Sequence, residues 1–300
     1  IQALNAWGNH GNFSIIPFLS FGIKDDSFTY QQLPEWFGDK PIHLHANFSL
    51  GGEGETIVLS DASLNPVDVT NYPYLHANHS YGRMGNDWCF FGQPTPGNSN
   101  SNSPAAIGYA KEPQFSSAAG FYPGSIQVGF LNYQPGDTIR YTIDGSWVND
   151  TSSIYSGDPI VLDTTLVLRA QVYKSGMLPG KVTSNSYIIG YTSTLPVVSI
   201  SLNPHDLWDW EEGIYVLGPN ASTIYPYHGA NYWMDWPKPA HIEYFDEAQN
   251  QGFELDADLM IHGGFSRVFP MKSLRVVTDS KYDVQEINYK LFKDKDIQTF

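Results

Sequence analysis

The chain has a single cysteine, Cys89, among its 300 residues. It can therefore form no disulfide within itself, and it contains no CxxC-type metal site. It also lacks any apolar run close to the roughly eighteen residues that a membrane-spanning helix needs. Basic residues are scarce, because 16 lysines and arginines stand against 31 aspartates and glutamates and give a formal net charge of -15. This charge disfavours nucleic acid and anionic membrane surfaces as partners, so we expect no nucleic-acid partner. The lack of a long apolar run predicts that the chain has no membrane span.

Aromatic residues, glycine and proline are abundant, at 15% aromatic residues with 27 glycines and 20 prolines. Short alternating segments separated by turns every ten or so residues are typical of β-sandwiches. We predict a mainly β protein, with tandem immunoglobulin-like sandwiches followed by a partial α+β region. The polar, low-complexity stretch 99–104 cannot bury a core, which favours a linker. The predicted organisation is a sandwich at 1–98, the linker at 99–104, a second sandwich at 105–190 and a third region at 191–300.

Residues 42–98 contain motifs that are similar to bacterial lamin-tail domains. The motifs lie at 45–50, 54–61, 67–68, 80–83 and 94–98. The resemblance implies an immunoglobulin-like fold for 1–98, whose first strands would come from residues 1–41.

The second predicted sandwich resembles the small immunoglobulin-like module at the C-terminus of chitobiases and hexosaminidases. The motifs that carry the likeness are 136–146, 154–157, 159–160, 168–172 and 176–180. In that family the module is an accessory piece without catalytic residues. The resemblance therefore implies support or weak sugar contact.

A glycine pair near the end of the chain lies between two predicted strands, 259–261 and 273–277. Adjacent glycines can present backbone N–H groups to an anion, and Lys272 with an arginine could add positive charge. The alternative is a tight hairpin, with glycine at positive φ and the basic residues facing water. The candidate binding residues are His262, Gly263, Gly264, Ser266, Lys272 and Arg275.

The third region resembles the opening third of CotH-type proteins, which are similar to protein kinases in fold. The matching segments are 203–209, 212–220, 240–246, 252–253, 261–266 and 270–275. The resemblance implies that 262–266 covers a phosphate and that Lys272 contacts a nucleotide. That family's metal-binding and catalytic carboxylates would lie past Phe300, and kinase chemistry needs them. We therefore assign no catalytic residue here, and ATP with magnesium is expected only in a longer protein.

Other side-chain groups give weaker hypotheses. His43, His45, His76 and His79 have a spacing that zinc can use, but nine scattered histidines make chance pairing easy, so we predict no metal site. No carboxylate spacing singles out an acid and a base, and no serine-hydrolase or zincin motif occurs. Aromatic residues crowd into about thirty positions and predict either core packing or a carbohydrate platform. They are Trp208, Trp210, Tyr215, Tyr225, Tyr227, Tyr232, Trp233 and Trp236.

Two functions from different classes follow. The first is a non-catalytic binding or scaffolding segment of an exported, cell-surface bacterial protein, with a polysaccharide or a cell-surface protein as partner. The alternative is the ATP-binding N-terminal portion of an atypical CotH-type kinase. The extracytoplasmic location is implied by the resemblances alone.

Overall fold

The computed structural model describes residues 4–6, 50, 53–96, 98–278, 282, 286–292 and 294–295, and for 4–6 the backbone only. The chain forms two compact units, Ile1–Gly108 and Tyr109–Phe300. Strands dominate both units, which confirms the mainly β prediction. None of the helices in these described ranges is long and apolar enough to cross a membrane.

The first unit contains two small antiparallel sheets, one formed by β2 and β3 and the other ordered β1-β4-β5. The β2–β3 turn is fixed by the Asp61 carboxylate, which accepts hydrogen bonds from the Ser63 and Asn65 amides at 2.8 and 2.9 Å. Phe91 is the most deeply buried apolar side chain of this unit in the part of the chain that the structure describes. The strands are β1 Leu4–Ala6, β2 Glu55–Ser60, β3 Pro66–Tyr72, β4 His79–Met84 and β5 Asp87–Phe91.

The predicted linker 99–104 is an ordered part of the first unit. It forms a 3-10 turn at Asn100–Asn102, capped by the Ser99 side chain. Asn100 donates to the carbonyl of Arg83 at 2.8 Å, and Ser103 donates to that of Gln93 at 3.1 Å. Asparagine and serine side chains thus fix this segment by hydrogen bonds to the backbone, and it needs no buried apolar side chains of its own.

The first half of the second unit is a sandwich. A five-stranded sheet, ordered β11-β10-β13-β14-β7, faces the two-stranded pairs β12-β8 and β6-β9. Only the β14–β7 pair is parallel in the described ranges. The strands are β6 Gln114–Phe115, β7 Gly120–Tyr122, β8 Ile126–Val128, β9 Phe130–Leu131, β10 Asp137–Thr142, β11 Ser153–Ile154, β12 Ile160–Leu162, β13 Leu166–Lys174 and β14 Thr183–Ile189.

Two clusters of buried side chains join the layers of this sandwich. Val128 and Leu162 pack with Leu168 and Tyr187 across the layers. Phe130 packs with a second group on β10 and β13, which includes Ile139. Asp144 and Gly145 form the turn after β10, with Gly145 at φ +79° and the Asp144 carboxylate accepting a hydrogen bond from the Ser146 amide.

The second half of this unit is built on a four-stranded antiparallel sheet, ordered β15-β16-β17-β18. One face carries apolar side chains, including Ala240, Ile242 and Leu259. The elements are β15 Val197–Leu202, α1 Pro204–Trp208, a 3-10 turn at Asn231–Trp233, β16 Lys238–Phe245, β17 Gln251–His262, a 3-10 turn at Phe265–Val268 and β18 Ser273–Val277.

The other face of this sheet packs against the sandwich through polar groups. Arg169 of β13, which is fully buried, donates from Nη2 to the carbonyl and hydroxyl oxygens of Ser201 on β15 at 2.8 Å. The hydroxyls of Ser186 and Ser199 lie 2.6 Å apart, and Phe121 meets the edge of Phe245. The sandwich and the sheet are therefore parts of one compact unit.

Candidate functional site

The β17–β18 connection begins with a glycine in the left-handed region, Gly263 at φ +109°. A side chain at this position would also meet the hydroxyl of Ser266. Arg267 fixes the connection by donating to the Gly263 carbonyl at 2.6 Å, to the Trp233 carbonyl at 2.9 Å and to the Asp235 carboxylate at 2.6 Å. The predicted glycine at positive φ is confirmed, but the connection contains a 3-10 turn and is no tight hairpin.

Lys272 closes the same connection from its other end. Its ammonium donates to the carbonyls of Arg267 and Phe269 at 2.7 and 3.0 Å. It also lies 4.1 Å from the centre of the Tyr232 ring, and the side chain is buried. Burial lowers the pKa of Lys272. The lysine therefore stabilises the turn from inside, and it does not face water as the hairpin alternative required.

The remaining predicted site residues lie around this connection. His262 ends β17 opposite Ser273, and Arg275 of β18 is exposed and pairs with Met260. Gly264 has open space where a side chain would be. The chain thus brings Gly263, Ser266 and Lys272 into one loop, but the Lys272 ammonium is engaged by carbonyl oxygens of that loop. Nucleotide binding stays a prediction.

Three half-exposed aromatic side chains lie on the surface of this connection, and we call them the aromatic row. Tyr225 and Phe265 are each 55% exposed, and Phe269 is 50% exposed. The ring centres of Tyr225 and Phe265 are 5.7 Å apart, and those of Phe265 and Phe269 are 6.3 Å apart. Adjacent rings meet at 76° and 82°, so the row presents faces and edges in alternation.

A small core supports the aromatic row. Ile214, Tyr232 and Ile261 are buried together, and Val268 of the connection packs against them. Asn231, which is 1% exposed, donates from Nδ2 to the carbonyls of residues 210, 211 and 213 at 3.1 to 3.2 Å. These hydrogen bonds hold the loop that follows α1 to the 3-10 turn that carries Tyr232.

The predicted aromatic cluster therefore divides into two groups. Five of them belong to the small core or pack against it, as the packing hypothesis requires: Tyr215, Tyr227, Tyr232, Trp233 and Trp236. Trp208, Trp210 and Tyr225 are more than half exposed and fit the platform hypothesis. Phe265 and Phe269 were not among the predicted aromatic residues. They lie at the two ends of the 3-10 turn that follows the glycine pair, and this position in the sequence is a signal that could have identified them.

The other groups considered from sequence play structural parts where the structure describes them. His76 and His79 stack at 5.7 Å, and burial lowers the pKa of His79. His43 and His45 lie outside the described residues. The Asp246 carboxylate accepts from the amides of Ala248 and Asn250 within its own turn. Side chains with the spacing of metal ligands occur on β16 and β17 instead.

Comparison with known proteins gives one match. A family described as the chitobiase/beta-hexosaminidase C-terminal domain matches residues 117–184, which run from just before β7 into β14. No curated protein and no solved structure matches the chain at a significant level. The match confirms the resemblance of the second predicted sandwich to this module. The likenesses of the other regions to lamin-tail and CotH-type domains stay predictions.

Proposed function

We propose that this chain is a non-catalytic, carbohydrate-binding segment of a modular protein that acts outside the cytoplasm, and that the aromatic row contacts the sugar. The match of residues 117–184 supports this proposal, because the family takes its name from enzymes that act on amino-sugar glycans. The extracytoplasmic location is supported only by the resemblances described from sequence.

The aromatic row is the observation that carries the proposal. The apolar C–H face of a pyranose ring gains dispersion contacts and loses water when it packs on an aromatic face. Tyr225, Phe265 and Phe269 stay half exposed although each ring already contacts another ring. Exposed aromatic groups of this kind mark binding surfaces more often than singly scattered apolar residues do.

The shape of the row favours one class of glycan. A flat crystalline polysaccharide would require coplanar rings, whereas Phe265 is nearly perpendicular to both of its neighbours. The angles instead suit a single soluble chain that can turn its sugar rings to meet successive faces. The net charge of -15 repels acidic polysaccharides, so the expected ligand is a neutral oligosaccharide.

Isothermal titration calorimetry of the full chain with a soluble chito-oligosaccharide tests the proposal. We expect binding that weakens about tenfold in Phe265→Ala and in Tyr225→Ala, since each lost aromatic contact costs on the order of 1 kcal/mol. Tyr191→Ala is the matched control, because Tyr191 is 57% exposed and lies outside the row. Absence of heat at millimolar oligosaccharide, or equal weakening in Tyr191→Ala, would contradict the proposal.

A further inference from the structure

Three potential metal ligands converge on the polar face of the β15–β18 sheet. His241 and Glu243 are two residues apart on β16, so both side chains point to the same face. Glu254 lies directly opposite Glu243 on β17, and Asp256 lies opposite His241. One ligand atom each from His241, Glu243 and Glu254 lie within 4.8 Å of one another.

The two β16 residues offer buried lone pairs that no described group uses. His241 is 9% exposed and Glu243 is 1% exposed. Nε2 of His241 and Oε2 of Glu243 have no hydrogen-bond partner among the described residues. A buried polar atom without a partner costs on the order of 1–3 kcal/mol, so two such atoms in one cluster of potential ligands indicate a binding partner at this cluster.

Asp256 orients the imidazole for this role. Its Oδ1 lies 2.8 Å from Nδ1 of His241, so this carboxylate can accept a hydrogen bond from Nδ1–H, and in that tautomer Nε2 carries the free lone pair. A carboxylate that hydrogen-bonds the far nitrogen of a ligating histidine is a recurrent feature of zinc centres. Lys181 Nζ lies 4.0 Å from Oδ2 of Asp256, the other oxygen of this carboxylate.

The side-chain amide of Gln251 bridges the two glutamates. Gln251 donates from one Nε2 to Glu254 Oε2 at 2.9 Å and to Glu243 Oε1 at 3.4 Å. A divalent cation would neutralise both carboxylates at once.

We propose that His241, Glu243 and Glu254 bind a first-row divalent cation, for which Zn²⁺ is the probe, and that the bound ion is structural. One imidazole and two carboxylates suit zinc, which takes nitrogen and oxygen ligands at about 2.0–2.2 Å. A tetrahedral site at those bond lengths needs ligand atoms about 3.5 Å apart. The ligand atoms here lie within 4.8 Å of one another, and the exposed Glu254 side chain can move to shorten these distances. The ligated face packs on β13 and β14, so the ion would stabilise this contact.

Thermal unfolding of the full chain after treatment with a chelator tests the site. We expect the midpoint to rise with the logarithm of added Zn²⁺, because a ligand that binds only the folded state stabilises it. Calorimetry should show one equivalent of Zn²⁺ bound. Cys89→Ser serves as the background, since it removes the only thiol that could also bind zinc.

Three variants separate the site from non-specific binding. Glu254→Gln lies on an exposed side chain and should fold normally while weakening Zn²⁺ binding about tenfold or more. His241→Gln and Glu243→Gln should each abolish the Zn²⁺-dependent shift of the unfolding midpoint. In the absence of metal, Glu243→Gln should also have a higher unfolding midpoint than the unaltered chain. His205→Gln is the control, because His205 is exposed and lies 3.4 Å from Asp209 on another segment. A concentration of about 1 mM Zn²⁺ is enough to fill even a weak divalent-cation site. No shift of the unfolding midpoint at that concentration, or an equal shift in Glu254→Gln, would overturn the proposal.

Discussion

Arg169 and Ser201 join the two halves of the second unit. A single guanidinium nitrogen of Arg169 donates to both the carbonyl and the hydroxyl oxygen of Ser201, each at 2.8 Å. The same guanidinium lies 4.3 Å from the centre of the Trp147 ring. Burial lowers the pKa of Arg169 to about 10, although Asp256, Asp144 and Asp206 oppose this change. A buried charge thus connects the sandwich with the four-stranded sheet.

Replacing Arg169 is expected to show how strongly this connection stabilises the unit. Arg169→Ala should lower the free energy of unfolding by about 2–4 kcal/mol, because it removes the hydrogen bonds and leaves a cavity. Arg169→Met should cost less, since it fills the space and removes a charge whose Nε and Nη1 lack partners among the described residues. Urea unfolding at neutral pH measures both values. Equal losses in the two variants would contradict this account.

Lys272→Met is expected to destabilise the β17–β18 connection. It keeps the aliphatic stem but leaves the Arg267 and Phe269 carbonyls without their donor, which should cost about 2 kcal/mol. Lys111→Met is the matched control, because Lys111 is exposed and is not among the candidate binding residues. Thermal unfolding and calorimetry with ATP and magnesium should be run on both. Loss of an ATP signal in Lys272→Met without a loss of stability would instead favour the nucleotide hypothesis.

Asn231→Asp is expected to be among the most destabilising single changes in the second unit. The isosteric carboxylate cannot donate to the three carbonyls that Asn231 now bonds, and it places a charge beside them. The loss should be about 3 kcal/mol, which chemical denaturation would measure. Asn220→Asp, on the exposed surface of the same region, should change stability by less than about 0.5 kcal/mol.

The ion pair of Asp137 and Lys174 predicts a dependence on pH. The Lys174 ammonium, 2.8 Å away, does most to hold the pKa of Asp137 below its ordinary value of 3.8. Stability from this pair is therefore present above about pH 3.8 and is lost as the pH falls through the lower pKa of the folded state. Lys174 is partly exposed, so Lys174→Met should cost about 0.5–1 kcal/mol at pH 7.

A double-mutant cycle with Asp137→Asn isolates this interaction from other effects of the substitutions. The coupling free energy should be measurable at pH 7 and should fall toward zero at acid pH, as the pH drops below the lowered pKa of Asp137 and the carboxylate becomes protonated. A coupling that is unchanged between the two pH values would show that the pair contributes no pH-dependent stability.

The sandwich strands were predictable because their local signals agree with each other. β10 alternates before Asp144 and Gly145, whose turn geometry is encoded by two adjacent residues. The order of strands within the sheet was not predictable in the same way. The parallel pairing of β7 with β14 joins Gly120 to Tyr187, and no local pattern specifies that long-range register.

The candidate sites were only partly predictable for related reasons. Gly263 and Lys272 were identified as neighbours in one turn, but the direction of the lysine depends on which carbonyl oxygens the closed loop presents to it. His241 and Glu243 show the period of a strand face in sequence. Their third companion, Glu254, is assigned only by the register of β16 with β17.

The sandwich meets the four-stranded sheet through a surface of hydroxyl groups, which includes Ser184 and Ser186 on β14. Water can replace a hydroxyl partner far more readily than it can cover exposed hydrocarbon. Separating the sandwich from the sheet would therefore leave hydroxyl groups that water can hydrogen-bond, beside the apolar surface of Phe121.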